Sequence, residues 1–394
     1  SQKFEALIEP RVDYVFNSTI SVTGIARIRL DSVGDLGPSA SSPDNYSSIN
    51  GPLYNSEYAE LSLRELYLDA QWAGSFWRIG KQQVVWGQAD GIKVLDVVNP
   101  QSYREFILDD FDDSRIPLWA VNVERALGDD SSVQLLWIPD TTYHEFAEPE
   151  TPYFLTSPKQ VPRLEAGPMI VADPDKPDDF IDDADAGLRL TTFAGGWDVS
   201  LNYLYHYNDI PAVYQGLQPE GYRLVTPTYE RSHLLGSSFS NAIGAFTLRG
   251  EVAYESDTYH QAEFTAGNRG VIESAELASV VGLDWQLSSD TLLSGQWFYS
   301  NVLDHDSATI RRKSEQIATM LYQTEFDNAA WQLRLLAMYS IDDEDSLIQI
   351  KLKYWFSSAL ELWVGSDLFS GDNEGVFGQF GDRDRILFGA KYGF

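Results

Sequence analysis

Cysteine is absent from this chain of 394 residues, and basic residues are few, with 28 lysines and arginines against 59 aspartates and glutamates. Without cysteine the fold has no disulfide bonds, which is compatible with an exported protein that does not use them. The net charge of −31 argues against a nucleic-acid partner, because nucleic acids bind to basic surfaces. An acidic chain attracts cations instead, so we expect a cation preference for any pore that it forms.

Long apolar runs are also missing. No stretch approaches the roughly 20 residues of a transmembrane helix, which excludes spanning by helices. A transmembrane β-strand needs only about 9–11 residues of alternating character, and such strands are compatible with a mean hydropathy of −0.26. The first residues carry no basic and apolar leader, as expected of a cytoplasmic or an already processed chain.

Apolar and polar residues alternate with a period of two from end to end, as Trp197–Tyr207 illustrates, and this period is typical of β-strands. We predict strands at approximately 3–16, 18–31, 57–72, 75–86, 117–126, 131–139, 186–194, 196–208, 228–240, 243–256, 273–288, 291–303, 315–327, 330–342, 346–357, 359–370 and 383–394. The fold class is therefore all-β: one transmembrane antiparallel β-barrel domain over residues 1–394. Because bacterial barrels have even strand numbers, we favour about 16 strands; 18 follow if a further strand precedes segment 3–16.

Short turns alternate with long connections along the chain. Predicted turns include Ala73-Gly74, Gly195-Gly196 and Asn241-Ala242, whereas long segments lie near 32–56, 87–116, 140–185, 209–227, 257–272, 304–314 and 371–382. Outer-membrane barrels have short periplasmic turns at one rim and long extracellular loops at the other. The pattern favours a bacterial outer-membrane barrel over a soluble sandwich or propeller.

The last strand resembles the C-terminal strand of outer-membrane proteins. Apolar residues alternate from Ile386 through Phe388 and Tyr392 to a terminal phenylalanine, Phe394. This resemblance implies that Phe394 is recognised by the barrel-insertion machinery, and that outer-membrane lipid and lipopolysaccharide surround the protein.

A second resemblance lies between residues 80 and 117, where a G-x-Q-x-x-x-W-G strand is followed by an Asn-Pro loop and an Arg-x-Pro return. The matching residues are Gly80, Gln82, Trp86, Gly87, Asn99, Pro100, Arg115 and Pro117. The pattern resembles a large group of porin-like outer-membrane proteins of unassigned function and, more loosely, the alginate-export channels. It covers about 40 residues, implies an outer-membrane channel and leaves the solute open.

Ionisable residues on the polar strand faces and in loop 87–116 are the candidate pore-lining and constriction residues. They are Arg27, Arg29, Asp96, Asp109, Asp110, Asp112, Asp113, Arg115, Glu124, Arg249, Glu251, Glu325, Arg334 and Lys351. A water-filled interior tolerates such groups, and opposite charges across it filter solutes; salt-bridge ladders that stiffen the wall are the alternative. We expect loop 87–116 to fold into the interior and narrow it, and an extracellular loop over the rim is again the alternative.

Two charged segments are candidate binding sites. A calcium site is one interpretation of the acidic loop that contains Asp175, Asp178, Asp179, Asp182 and Asp183, because calcium prefers several oxygen ligands; a solvated loop is the other. Apart from calcium we expect no cofactor. The basic run at residues 311–313 is expected either to pair with lipopolysaccharide phosphates or to be merely solvated.

The sequence thus predicts a channel that passes small molecules across the outer membrane. A barrel plugged by its own loops, acting as a structural or partner-binding component of a trans-envelope complex, is the first alternative. An outer-membrane hydrolase is the second; none of the five histidines lies in a recognisable catalytic or metal motif, so we do not expect an enzyme.

Overall fold

The fold is nearly all β-structure. We describe residues 3–37, 45–89, 91–161 and 168–393 of a computed structural model of the chain. The strands are β1 Glu5–Ile8, β2 Arg11–Asn17, β3 Ile20–Asp31, β4 Tyr54–Asn55, β5 Ala59–Trp72, β6 Ser75–Gln82, β7 Ser102–Tyr103, β8 Leu118–Ala126, β9 Ser131–Ile138, β10 Glu145–Phe146, β11 Met169–Val171, β12 Asp185–Ala194, β13 Trp197–Tyr207, β14 Ala212–Leu217, β15 Arg223–Thr228, β16 Arg231–Ile243, β17 Phe246–Gln261, β18 Val271–Ser288, β19 Thr291–Val302, β20 Ser314–Phe326, β21 Trp331–Ser340, β22 Asp345–Trp355, β23 Leu360–Ser370 and β24 Arg385–Tyr392. A one-turn helix, α1 (Phe111–Ser114), and a 3-10 turn, Gly378–Phe380, complete the elements of the described ranges. None of the helical segments described is long and apolar enough to cross a membrane.

Nineteen of these strands form one antiparallel sheet in which chain neighbours pair with each other. Strands β1 and β2 lie end to end along β3, interrupted at Glu9 and Pro10, because proline has no N–H to donate to a ladder. The two-residue β4 is a short extension that pairs with β5. With the broken first strand counted once and β4 set aside, the described residues give seventeen long strands at the predicted positions. The described residues thus give an odd number of long strands, which decides neither for the 16 strands favoured from the sequence nor for the 18 allowed.

Tight hairpins join the strands at one rim. Ala73 and Gly74 have positive φ angles, as do Gly195 and Gly196, which is the geometry of two-residue hairpin turns. The turn predicted at Asn241-Ala242 lies instead after Ile243, because the β16–β17 ladder continues to the Ile243–Phe246 pair and Gly244 has the positive φ that the turn requires.

Long connections lie at the other rim and carry small structures of their own. Strands β7 and β10 form a parallel pair. Strands β11, β14 and β15 form a three-stranded sheet. We call the face of the main sheet on which loop 87–116 packs the covered face and the opposite one the outer face.

Polarity on the two faces is the reverse of that in a soluble protein. On β13 the polar Ser200 and Asn202 of the covered face are each only 1% exposed, whereas Leu201 between them is 55% exposed. The same contrast holds on β16, where Ser238 of the covered face is 1% exposed and Leu235 of the outer face is 59% exposed. Soluble proteins bury their large apolar side chains and rarely expose continuous apolar surface. The outer face thus requires an apolar environment.

The sheet is strongly curved. Arg27 on β3 and Lys351 on β22 would lie about 60 Å apart in a flat sheet, at about 4.8 Å per strand. Both contact the same short stretch of loop, Arg27 at Asp113 and Lys351 at Asp110, and three residues of chain reach only about 10 Å. The sheet must therefore bend around the loop that both strands touch.

Candidate functional site

The two ends of loop 87–116 are tied together by Asn99. Its side-chain oxygen accepts a hydrogen bond from the Val84 N–H at 2.7 Å, and its amide group donates to the Ile116 carbonyl at 2.9 Å. The adjacent Pro100 carbonyl accepts from the Ile116 N–H at 2.8 Å. The Asn-Pro motif identified in the sequence thus closes the base of the loop, because both strands that flank it are bonded to one buried amide.

The first half of the loop packs into the covered face through apolar side chains. Leu95 is fully buried and Trp86 is 1% exposed, and both belong to a cluster with Leu204, Leu234 and other inward-facing wall residues. A Cβ at Gly236 would overlap the Leu95 side chain, so glycine is required where the loop comes closest to the wall. The loop is held by packing as well as by charge.

Glu251 fixes the same half of the loop from the wall. Its carboxylate accepts hydrogen bonds from the main-chain N–H groups of Gln88 and of Leu95, the latter at 3.0 Å. The neighbouring Arg249 donates to the Gln88 carbonyl and pairs with Asp284 at 3.0 Å. Both predicted residues thus act on the loop backbone, since a buried carboxylate is satisfied by N–H donors.

The second half of the loop is acidic and faces basic wall residues. Asp113 pairs with Arg27 at 2.7 Å, and the exposed Asp110 lies 3.7 Å from Lys351. Within the loop, Arg115 binds Asp96 at 2.8 Å and Asp112 at 2.6 Å. These seven predicted residues are therefore brought close together, in three groups of ion pairs around the second half of the loop.

Glu105, which sequence reasoning did not single out, joins the first strand of the sheet to the last. Its two oxygens bind Lys3 at 2.9 Å, next to β1, and Arg385 at 2.6 Å, the first residue of β24. Burial alone would raise the pKa of Glu105, but Arg385 and Lys3 lower it to about 2. Burial and the negative charge of Glu105 raise the pKa of the nearby Asp109 to about 6, against the attraction of Arg29.

Three predicted residues of the covered face form no ion pair with the loop in the described part of the chain. Glu124 accepts a hydrogen bond from Gln134 at 3.1 Å, and Glu325 accepts one from Gln332 at 3.1 Å. Arg334 lies opposite Lys351 in the β21–β22 ladder. They belong to the wall nearer the short-turn rim, and the structure does not join them to loop 87–116.

A cavity at the other end of the loop is lined by basic residues, of which the sequence analysis named only Arg27, Arg29 and Arg115. The sequence pattern did not indicate Arg64 or Lys81 as residues of this site. It did not indicate Arg104 either, which lies beside the cavity, 4.0 Å from Glu60. Their positions next to the loop depend on a β-bulge near Ile25 and on strand pairing, which no local pattern indicates.

His144 lies in the long connection 139–184 and binds the backbone of loop 87–116. Its Nδ1 atom accepts a hydrogen bond from the Gln101 N–H at 3.0 Å. Burial, together with Lys93, lowers the pKa of His144 to about 3, so the imidazole is neutral at ordinary pH. The role of this histidine is therefore structural, since it accepts a hydrogen bond from the loop backbone.

The acidic loop forms bonds within itself. Asp183 accepts hydrogen bonds from the N–H groups of Asp178 and Asp179, and Asp179 accepts from those of Ile181 and Asp182. Asp175 lies apart, in a bridge to Thr228. Over the described ranges no three acidic or histidine side chains converge as a metal ion requires. Calcium binding here stays a prediction.

Two further predictions concern partners. Arg311, expected at the surface beside lipopolysaccharide, is engaged with Glu276 at 2.7 Å and Glu315 at 2.9 Å. Phe394, the residue expected to be read by the barrel-insertion machinery, lies outside the described residues.

The chain is similar in structure to outer-membrane porins and channels. OccAB3 of Acinetobacter baumannii is 9% identical with a TM-score of 0.48, over 94% of this chain and 86% of that one. The outer membrane channel DcaP of Acinetobacter baumannii is 9% identical with a TM-score of 0.45, over 98% of this chain and 84% of that one. OmpT, an outer membrane protein of Vibrio cholerae, is 10% identical with a TM-score of 0.42, over 99% and 95%.

No curated protein matches the chain in sequence. A family model does match, over residues 34–394, and its description is protein of unknown function (DUF1302). Since the match spans most of the sequence, the chain is a member of this DUF1302 family.

Proposed function

We propose that the protein is a β-barrel of the bacterial outer membrane that passes small hydrophilic molecules. The observation that carries this proposal is the reversed polarity of the sheet, with exposed Leu201, Met320 and Phe388 outside and buried Ser200, Asn202 and Ser238 on the covered face. Hydrocarbon accepts the first set of side chains and not the second. An interior lined by hydroxyl and amide groups suits water and polar solutes.

Aromatic pairs near the short-turn rim support a membrane orientation. Trp197 packs with Phe239, Phe246 stacks on Trp285, and the rings of Phe326 and Trp331 are parallel. Aromatic girdles of this kind lie at the lipid headgroups in outer-membrane barrels. The short turns then face the periplasm and the long loops face the outside.

Closure of the sheet is part of the proposal. The first strand, β1–β2, and the last, β24, both run from the long-loop rim to the short-turn rim. Glu105 binds Lys3 beside the first strand and Arg385 on the last, so the two edges of the sheet are held to one carboxylate. An open edge in hydrocarbon leaves backbone groups unsatisfied at several kcal/mol each, which favours closure along these two strands.

Loop 87–116 then serves as the constriction. It contacts two wall residues of the covered face that lie on opposite sides of the interior, Glu251 on β17 and Arg27 on β3. A segment that reaches both sides reduces the free cross-section between them. Its acidic groups opposite basic wall residues create a transverse field that acts on charged solutes.

The test is conductance in planar bilayers, with the wild type and an excision variant. Gly87 lies against Asp96, where an added Cβ would be 2.9 Å from the Asp96 nitrogen. Removing residues 88–95 joins Gly87 to Asp96 and keeps the base of the loop at Asn99, but it also removes the Leu95 packing and the bonds to Glu251, so folding of the variant is checked first by its heat-modifiable mobility on gels. We expect stable channel steps from the wild type and larger ones from the excision variant.

A matched control removes residues 178–182 of the acidic loop, which should leave conductance unchanged. Equal conductance of the wild type and the excision variant would overturn the constriction. Silence of correctly folded wild-type protein in every bilayer would overturn the channel and favour a barrel plugged by its loops.

A further inference from the structure

One cavity between loop 87–116 and the wall gathers buried cations in a chain whose net charge is −31. It measures about 50 Å³, and Arg29, Arg64 and Lys81 contribute to its lining, with Arg104 beside it. All four side chains are at least nine-tenths buried. A concentration of positive charge at this depth needs compensation, because a buried ion is costly unless it is paired and hydrogen-bonded.

These four cations lack a close carboxylate within the described ranges. The nearest carboxylate oxygens are 3.7 Å from Arg29, on Glu5, and 4.0 Å from Arg64, on Glu9. Arg104 is 4.0 Å from Glu60, while Lys81 has only a long bond of 3.4 Å to the Asn50 carbonyl. By contrast Arg27 and Arg115, which line the same cavity, have partners at 2.7 and 2.6 Å.

Several donors have no acceptor among the described residues. The Nε of Arg29 and both Nε and Nη1 of Arg104 are buried and form no hydrogen bond with that part of the chain. Within the same ranges Arg64 donates to main-chain carbonyls, those of Arg115 at 2.8 Å and of Asp112. Unsatisfied buried donors cost about 1–3 kcal/mol each, and more when charged, so an acceptor from outside the chain would stabilise this arrangement.

The acidic residues of the cavity attract these cations only at longer range: Glu60 and Glu145 both act on Arg29, but neither accepts a hydrogen bond from it within the described ranges. Glu145 is bound by the Ser102 hydroxyl at 2.6 Å, and burial raises its pKa, which favours the neutral acid. Glu60 stays 4.0 Å from Arg104.

The geometry points to a binding site for an oxyanion, a carboxylate or phosphate group, held by Arg29, Arg104, Arg64 and Lys81. Planar guanidinium groups match the paired oxygens of such anions, and a cavity of this volume holds a few water-sized groups, at about 10–15 Å³ each. The inference rests on the proposed function in one respect, since it names anionic solutes as the class that the channel recognises beside its constriction. The basic cavity would then select small anions by specific contacts, although the net charge of the whole chain is −31.

The test is calorimetric titration of the purified, detergent-solubilised full chain with sodium acetate and, separately, inorganic phosphate, with sodium chloride held constant. We expect saturable binding of at least one oxyanion, and at least tenfold weaker binding in Arg29→Gln and in Arg104→Gln. The matched control is Arg78→Gln, since Arg78 is an inner-wall arginine already paired with Asp69 at 2.7 Å; it should bind like the wild type. Folding of each variant is checked by its heat-modifiable mobility on gels.

Binding of acetate alone would assign the site to carboxylates, and binding of phosphate alone to phosphate groups. No saturable binding of either, or equal binding by the wild type and both arginine variants, would overturn the site. Because calorimetry needs no membrane, loss of this inference leaves the conductance result untouched, and silent bilayers leave the binding result untouched.

Discussion

Replacing Glu105 tests the view that one carboxylate holds the two edges of the sheet together. Glutamine keeps the shape of the side chain but removes its charge, so Glu105→Gln imitates permanent protonation. Arg385 and Lys3 lower the pKa of Glu105 from 4.5 to about 2, and each pKa unit corresponds to about 1.4 kcal/mol. The variant should therefore lose about 3 kcal/mol of unfolding free energy at pH 7.

The difference in unfolding free energy between wild type and Glu105→Gln should depend on pH in a defined direction. A carboxyl group with a lowered pKa in the folded state stabilises the fold above its unfolded pKa and loses that contribution as the pH falls through its folded pKa. The difference between wild type and Glu105→Gln should be full above about pH 4.5 and disappear as the pH approaches 2.

The assay is urea unfolding in detergent micelles, followed by tryptophan fluorescence between pH 2 and 7. The control is Asp110→Asn in the same loop, because Asp110 is exposed and 3.7 Å from Lys351; such pairs contribute at most about 1 kcal/mol. An unchanged midpoint for Glu105→Gln, or a difference that persists at low pH, would refute the reasoning.

Two further predictions follow from the loops. Asn99→Ala leaves the buried Val84 N–H and Ile116 carbonyl without partners, which should cost about 2–4 kcal/mol and speed hydrogen exchange in residues 84–116; exchange rates like those of the wild type would contradict the role of Asn99. Millimolar calcium tests the acidic loop, in which Asp179 and Asp183 accept main-chain hydrogen bonds; an unfolding temperature raised no more than by magnesium would favour the solvated loop. A rise specific to calcium would support the calcium interpretation of this loop.

Opposite charges hold loop 87–116 against the wall, so they would affect both the width and the charge of the proposed channel. Asp113 and Asp110 face Arg27 and Lys351, and these pairs hold the loop against strands from distant parts of the sheet. In the proposed channel, the residues that shape the transverse field would be the same ones that hold the constricting loop. Neutralising them should therefore change the width of the passage as well as its charge.

The alternation of the sequence determined the strands. A period of two is a property of each strand alone, so segments such as Trp197–Tyr207 could be placed from local residues, and so could glycine turns such as Gly195-Gly196. The Asn99 and Arg115 motifs were identified through the resemblance to porin-like proteins, and the partners that they bind lie near them in the sequence. Strand number was predicted less well, since a break at Pro10 and a two-residue β4 depend on ladder geometry.

Only the tertiary structure decided which charges meet. Glu105 lies 102 residues from Lys3 and 280 from Arg385, and no local pattern relates residues at such separations. The basic cavity likewise depends on β3, β5 and β6 lying side by side beneath the loop. A strand's own pattern fixes which of its faces is apolar, but the curvature of the whole sheet fixes which side chains from distant strands share one interior.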